Sequence, residues 1–314
     1  MKALITGVAG FVGSHLAEKL LAQGISVSGI DSFTDYYPRI LKEANLASLH
    51  KHQNFHFQEE SLQTAALVEL LSDVTHVYHL AAQAGVRKSW GHDFSEYITC
   101  NIEATQILLE ACRVSSLERV VYASSSSVYG DVASIPMQEN VPLQPLSPYG
   151  VTKLAAEHLC HLYWENYGVP TVSLRYFTVY GPRQRPDMAF NRFLKAILTG
   201  EPITLFGNGE QTRDFTFIED IISATTAAGT RGEPGRVYNI GGGSRVSMNH
   251  VIKLMNQCTN REPIVVHQER QKGDMRDTYA DTTLAQTDLG FEPSVTLEEG
   301  IKAEFEWLSE NLSS

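Results

Sequence analysis

Three short stretches carry residue types whose spacing could do chemistry. The first is Ser147-Pro148-Tyr149-Gly150-Val151-Thr152-Lys153. A tyrosine and a lysine four residues apart share one helix face, a turn from each other. A cation beside a phenol favours the phenolate, so a group that ordinarily titrates near ~10 can serve as a base closer to neutrality. The second is Ser124-Ser125-Ser126-Ser127, four hydroxyls able to donate to a reacting oxygen. The third is Gly7-Val8-Ala9-Gly10-Phe11-Val12-Gly13. Gly7 suits a tight turn, Gly10 a close approach of the backbone to a pyrophosphate, and Gly13 the packing of a helix against a strand. Each stretch also has an ordinary reading: an exposed tyrosine beside a solvated lysine, turn serines bonded to their own backbone, or glycines serving turn geometry alone. The surrounding elements decide between them.

Those elements alternate from the first residue. Apolar Lys2 to Thr6 predicts a strand, the glycine turn follows, and Ser14 to Leu21 has helical spacing, the context in which such glycines bind a dinucleotide. The helix would aim its free N–H groups at the phosphates. Further strands are expected over Ser26 to Ile30, closed by Asp31, then Phe55–Gln58, His76–Leu80, Val120–Ala123 and Thr171–Tyr176. Helices are expected over Asp35–Leu49, broken near Pro38, then Leu62–Leu71 and Tyr97–Arg113. Alternation of this kind predicts a parallel sheet with helices on both faces and a ligand beyond the carboxyl ends of the strands. Asp31 at the tip of the second strand can accept from an adenosine ribose and would repel a 2′-phosphate, which argues for NAD over NADP. After Tyr176 the alternation breaks down. A helix over Phe190–Leu198, a strand over Ile203–Phe206, a turn at Gly207–Gly209, a helix near 218–228 and helices near 282–289 and 297–308 are the expected pieces. The reading is an NAD-binding domain over 1–177, to which segments of about 213–240 return, and a mainly substrate-binding domain over 178–314.

The 314 residues include 43% hydrophobic ones, enough for a sizeable core. With 36 acidic against 25 basic residues and a formal charge of −11, neither nucleic acid nor an anionic membrane is an expected partner. An anionic ligand must be held by a few placed arginines. Cys100, Cys112, Cys160 and Cys258 have neither zinc-like nor disulfide-framework spacing, and no metal site is expected. The chain begins directly in a strand and has no apolar run of ~18 residues, so a cytoplasmic location is expected.

With the glycine loop, Asp31, the serine run and Tyr149/Lys153 in place, the chain resembles an extended short-chain dehydrogenase/reductase, and more narrowly the NAD-dependent nucleotide-sugar epimerases. His79-Leu80-Ala81-Ala82, Arg175-Tyr176-Phe177 and Arg213-Asp214-Phe215 carry the likeness over nearly the full length. It implies a Rossmann-like doubly wound parallel sheet with a smaller C-terminal substrate-binding domain. It implies NAD held by Gly7, Gly10, Phe11, Val12, Gly13, Asp31, Leu80, Ala81, Ala82, Asn101, Ser124, Tyr149, Lys153 and Tyr176. The family often places an acid and an aliphatic residue near the adenine, where this chain has Ser61-Leu62.

The subfamily most similar is the UDP-glucuronate 4-epimerases, through the Tyr36-Tyr37 stretch, Gln83 to Trp90, and Arg175 to Phe190. Thr178 stands where UDP-galactose 4-epimerases usually have Asn. Ser126 and Ser127 stand where related dehydratases and decarboxylases carry acids, and serine cannot supply the acid or base of those eliminations. The resemblance implies that Tyr149 takes the proton of the sugar C4 hydroxyl, that Lys153 lowers the Tyr149 pKa and bonds the nicotinamide ribose, and that Ser125 bonds the C4 oxygen. Hydride leaves C4 for the nicotinamide and returns to the opposite face after the 4-keto sugar turns. A glucuronate carboxylate would be held by Ser126, Ser127, Thr178 and Arg185, with Arg87 a second compensating charge. Arg213 and Arg276 would hold the diphosphate, and Phe206 would stack on the uracil. Alternatives are a UDP-glucose/UDP-galactose 4-epimerase, a UDP-glucuronate decarboxylase and a non-catalytic NAD sensor. The family is commonly homodimeric through the helices near 97–113 and 150–167, where Leu154, Leu159, Leu162, Tyr163 and Trp164 offer apolar surface.

Overall fold

The computed structural model describes residues 1–131 and 134–311. Its strands are β1 (Lys2–Thr6), β2 (Ser26–Asp31), β3 (Phe55–Glu59), β4 (His76–His79), β5 (Arg119–Ser125), β6 (Thr171–Tyr176), β7 (Thr178–Tyr180), β8 (Ile203–Phe206), β9 (Thr212–Phe217), β10 (Val237–Ile240), β11 (Arg245–Ser247) and β12 (Val265–Gln268). Its α-helices are α1 (Phe11–Ala22), α2 (Arg39–Leu46), α3 (Leu67–Leu70), α4 (Phe94–Tyr97), α5 (Ala104–Arg113), α6 (Pro148–Tyr167), α7 (Ala189–Thr199), α8 (Ile218–Arg231), α9 (Met248–Thr259), α10 (Thr283–Leu289) and α11 (Leu297–Asn311).

Among the described residues seven strands form one parallel sheet in the order β10-β6-β5-β4-β1-β2-β3. The inner strands β1, β4, β5 and β6 are buried along nearly their whole length and are rich in Val, Ile, Leu and Tyr, as strands covered on both faces are, whereas the edge strand β3 is partly exposed. One core lies under α1 and α8 and continues into the second unit, through Leu16, Tyr78, Leu174, Ile221, Phe190 and Phe215. The opposite face packs against α5 and α6 through Val77, Leu108, Val120, Ala156 and Cys160. The chain leaves β1 on one side of the sheet and β4 on the other, so a crevice opens where the strand order reverses.

The second unit is built on a three-stranded sheet, β11-β9-β7, and the pair β12-β8. Its centre is an aromatic cluster in which Phe190 lies 4.8 Å from Tyr180 and 4.7 Å from Phe215 between ring centroids. Of the stretch 213–240, β10 pairs with β6 in the large sheet, whereas β9 belongs to the small one.

Several expected elements differ. Pro38 delays the expected helix after Asp31 until Arg39. Only Leu67–Leu70 of the expected 62–71 helix is α-helical. The expected Tyr97–Arg113 helix starts at Phe94 and widens over Ile98–Glu103 into a π-helical segment. Helix α9 was not anticipated, although Met248, Val251, Ile252 and Met255 recur at helical spacing and the Ser247 side chain caps it by accepting from His250 N. Short strands β7, β9, β11 and β12 were missed as well, because each is defined by its partner rather than by its own pattern.

Candidate active site

The crevice is a cleft of about 750 Å³ that runs from the glycine turn to the junction with the second unit. At one end Gly7 adopts φ +71°, and a Cβ there would meet Ala81 N and Cα at 2.8 Å. A Cβ on Gly13 would stand 2.2 Å from Gly7 O. The turn therefore folds onto the end of β4 with no room for side chains. Gly10 is the N-cap of α1, with no side-chain cap and no acid in the first turn, so the first-turn N–H groups face the cleft as free donors. Asp31 accepts from Ala9 N at 3.1 Å and from Phe33 N at 2.9 Å, and burial raises its pKa. An uncapped helix end, a bare glycine floor and a carboxylate at the tip of β2 fit a dinucleotide.

At the other end, local sequence fixes Tyr149. The Ser147 hydroxyl accepts from Gly150 N at 3.1 Å and Pro148 opens the helix, which closes at Gly168 with φ +70°. Tyr149 thus stands in the first turn of α6 and Lys153 one turn on. Ser125 ends β5, and its hydroxyl oxygen accepts from Ser127 N at 3.1 Å, which leaves its proton to be donated toward Tyr149. Burial raises the Tyr149 pKa, opposed by the charge of Arg185 and a hydrogen bond from Ser125. Burial presses Lys153 down to about 8, with Cys160 and Glu157 acting the other way. The Lys153 ammonium sits 4.7 Å from the Tyr122 ring centroid, and the charge of Arg185 also bears on Tyr149.

Beneath these groups lies a buried network. Glu157 receives Arg175 Nη2 at 2.6 Å, Arg175 Nε at 3.1 Å and the Ser124 hydroxyl at 2.5 Å. Arg175 also donates to Tyr129 Oη at 2.8 Å. Ser124 lines the cleft but spends its proton inward.

Leu80, Ala82, Ser126, Ser127, Tyr176 and Thr178 line the same cleft, as do Arg87, Arg185, Phe206 and Arg213. Two expected site residues do not. Asn101, in the π-helical segment, receives Gln83 N at 2.7 Å and donates to Gln83 O at 3.0 Å and Thr152 Oγ1 at 2.9 Å, so it clamps the end of β4 to α6. Arg276 is 77% exposed in its side chain and pairs with Asp277 at 3.7 Å. Its carbonyl turns inward to accept from Arg213 Nη1 at 3.0 Å and Thr212 N at 3.2 Å, which sends the side chain outward. Phe206 does not present a bare face: the Arg87 guanidinium covers it at 4.2 Å and Arg192 lies at 5.9 Å. Sequence reasoning missed Arg192, on α7, and the cleft carboxylates Asp187 and Asp274, which pair with Arg185 and Arg87 at 3.0 and 2.8 Å. Nothing local to those residues marks them.

The profile of the NAD dependent epimerase/dehydratase family matches residues 3–241. The protein YtcB of Bacillus subtilis strain 168, described as an uncharacterized UDP-glucose epimerase, is 46% identical over 98% of each chain. A UDP-glucuronate 4-epimerase of Thermodesulfobacterium geofontis is 38% identical over 98% of this chain and 96% of its own. The crystal structure of UDP-glucuronic acid 4-epimerase from Bacillus cereus, in complex with UDP-glucuronic acid and NAD, superposes with a TM-score of 0.97 at 46% identity, covering 99% of this chain and 100% of that one.

Proposed function

The chain belongs to the NAD dependent epimerase/dehydratase family, and from that premise we propose that it epimerises a UDP-sugar at C4, with UDP-glucuronate and UDP-galacturonate as the interconverted pair. NAD, held by the glycine turn, Asp31 and the end of β4, supplies a hydride acceptor that returns the hydride within one turnover. Tyr149 takes the C4 hydroxyl proton and gives it back. Ser125, whose own acceptor site is occupied by Ser127 N, donates to the C4 oxygen. Lys153 anchors the nicotinamide ribose from the next turn of α6, with Glu157 one turn further on.

The observation that carries the choice of an acidic sugar is Arg185, whose charge reaches Tyr149 in a cleft that Ser126, Ser127 and Thr178 also line. The 4-keto form of a glucuronate is a β-keto acid that loses CO2 when the carboxylate bond stands perpendicular to the carbonyl plane. Hydroxyls and a guanidinium can hold it away from that geometry by charge-assisted bonds, and serines at 126 and 127 cannot act as the acid of an elimination. Arg87, Arg192 and Arg213 support an anionic diphosphate near Phe206. A neutral-sugar reading has its own support: Arg185 is already balanced by Asp187, and a close relative is described as a UDP-glucose epimerase.

A homodimer and a cytoplasmic location complete the reading. Ile98, Val151, Leu162 and Tyr167 are 42%, 47%, 52% and 54% exposed on the α5/α6 side, which supports a pairing face, although Tyr163 is buried. Among the described residues no helix is long and apolar enough to cross a membrane. Given UDP-glucuronate, the purified protein should form UDP-galacturonate without CO2 or net NADH, and Tyr149→Phe should abolish turnover with NAD still bound. UDP-pentose with CO2, or turnover of UDP-glucose alone, would reject the acidic-sugar epimerase.

A further inference from the structure

We propose that Asp187 and Tyr36 are positioning residues that fix the Arg185 guanidinium and thereby set the preference for an acidic over a neutral sugar nucleotide, an inference that rests on the role given to Arg185 above. Arg185 Nε donates to Asp187 Oδ1 and Arg185 Nη2 to Asp187 Oδ2, each at 3.0 Å. This is the two-bond fork that fixes a guanidinium in plane and in rotation. The side chains are 21% and 33% exposed. A pair two residues apart on one loop would by itself be an ordinary surface contact of little consequence. A third partner changes that. Tyr36, in the loop after β2, donates to Asp187 Oδ2 at 3.1 Å across 151 positions of sequence.

Tyr36 is itself held. The Lys88 ammonium stands 4.7 Å and the Arg185 guanidinium 5.7 Å from its ring centroid. Its hydroxyl rests on Gly85, where φ is +99° and a Cβ would lie 2.1 Å from the oxygen. Tyr97 Oη lies 2.8 Å from both Ala84 O and Gly85 O, which share its single proton and hold that backbone, and its ring meets Tyr149 edge to face at 6.3 Å. The Tyr36 hydroxyl therefore has one available place, and Asp187 can turn only as far as that bond allows.

An arginine has five N–H donors. Asp187 takes two, on the Nε edge, and leaves the Nη1 side for a ligand. The carboxylate also cancels the charge of the guanidinium, so a neutral sugar meets a balanced pair. A sugar carboxylate meets directed N–H groups whose orientation costs no further ordering on binding. This gives the Tyr36 motif after β2 a task in substrate choice, although it lies on the cofactor side of the cleft.

The test compares UDP-glucuronate and UDP-glucose binding to the NAD-loaded enzyme by calorimetry. For Asp187→Ala the ratio of the two Kd values should shift toward UDP-glucose by about tenfold, as expected for loss of an oriented charge-assisted bond. Tyr36→Phe, which removes only a hydroxyl, should shift it by about threefold. UDP-glucose affinity itself should change by less than about twofold, the size of a surface-level perturbation. In turnover both variants should release a larger fraction of UDP-pentose and CO2, because the carboxylate is held less firmly. Equal weakening of both ligands would mean a structural role only and would overturn the proposal. So would tighter UDP-glucuronate binding by Asp187→Ala, which would make Asp187 a competitor for Arg185. A wild-type enzyme without preference for the acid would reject the acidic-sugar assignment itself, and this proposal with it; a preference kept in Asp187→Ala would reject this proposal alone.

Discussion

Removal of the Glu157 charge should destabilise the protein and shift its pH profile, and the size of both effects follows from the buried network. Glu157 and Arg175 are each 4% exposed in their side chains. Glu157 accepts three bonds, two from Arg175 and one from Ser124, and Ser124 pairs with Arg175 in the β5–β6 register. Glu157→Gln leaves a buried guanidinium without its counter-charge, and breaking such a pair from one side costs about 3–5 kcal/mol. In Glu157→Leu/Arg175→Met neither charge remains to be desolvated. What is lost are the bonds to Ser124, Tyr129 Oη and Glu139 O, about 1 kcal/mol each. The double variant should therefore be no less stable than Glu157→Gln, with a coupling of about 3 kcal/mol between the sites. Urea unfolding at constant m-value measures both. The functional consequence runs through Lys153, one turn before Glu157. Burial holds Lys153 at about 8 while Glu157 opposes that shift, so without the Glu157 charge the lysine loses its proton at lower pH. The alkaline limb of kcat should move to lower pH in Glu157→Gln, and further than in the double variant, where Arg175 is also gone. Additive stabilities, or an alkaline limb that stays in place, would refute the reasoning.

Two further outcomes are expected. Arg192→Ala should raise the UDP-sugar Kd by about tenfold, the cost of one charge-assisted contact, whereas Arg276→Ala should change it by less than about twofold, as for a solvated surface pair; comparable losses would place Arg276 in the site after all. Gly13→Ala should weaken NAD binding by at least about a hundredfold, because a Cβ 2.2 Å from Gly7 O must push α1 off the turn. Fluorescence titration with NAD measures this, and retained affinity would argue against the glycine turn as the cofactor cradle.

The alternation of strands and helices, the glycine turn and the start of α6 were all legible in the chain. Each depends on neighbours within a turn or two. Ser147 and Pro148 make a helix begin where Tyr149 must enter the cleft, and Gly13 is needed because α1 packs on its own preceding turn. The short strands β9, β11 and β12 were not legible, because a strand of three to six residues is defined by what lies beside it. Nor was the whole site.

Residue type and spacing by themselves determined that a parallel sheet would carry a dinucleotide turn at one end and a tyrosine–lysine pair at the other. Tertiary packing decided which charge faces which. It brought the charge of Arg185 to bear on Tyr149, turned Arg276 outward while Arg192 entered from α7, and spent the Asn101 side chain on the backbone of Gln83. The reason is that a side chain's partner depends on how distant loops close over it. Tyr36 and Asp187 stand 151 residues apart in sequence and 3.1 Å apart in space, and no property of either residue alone contains that distance.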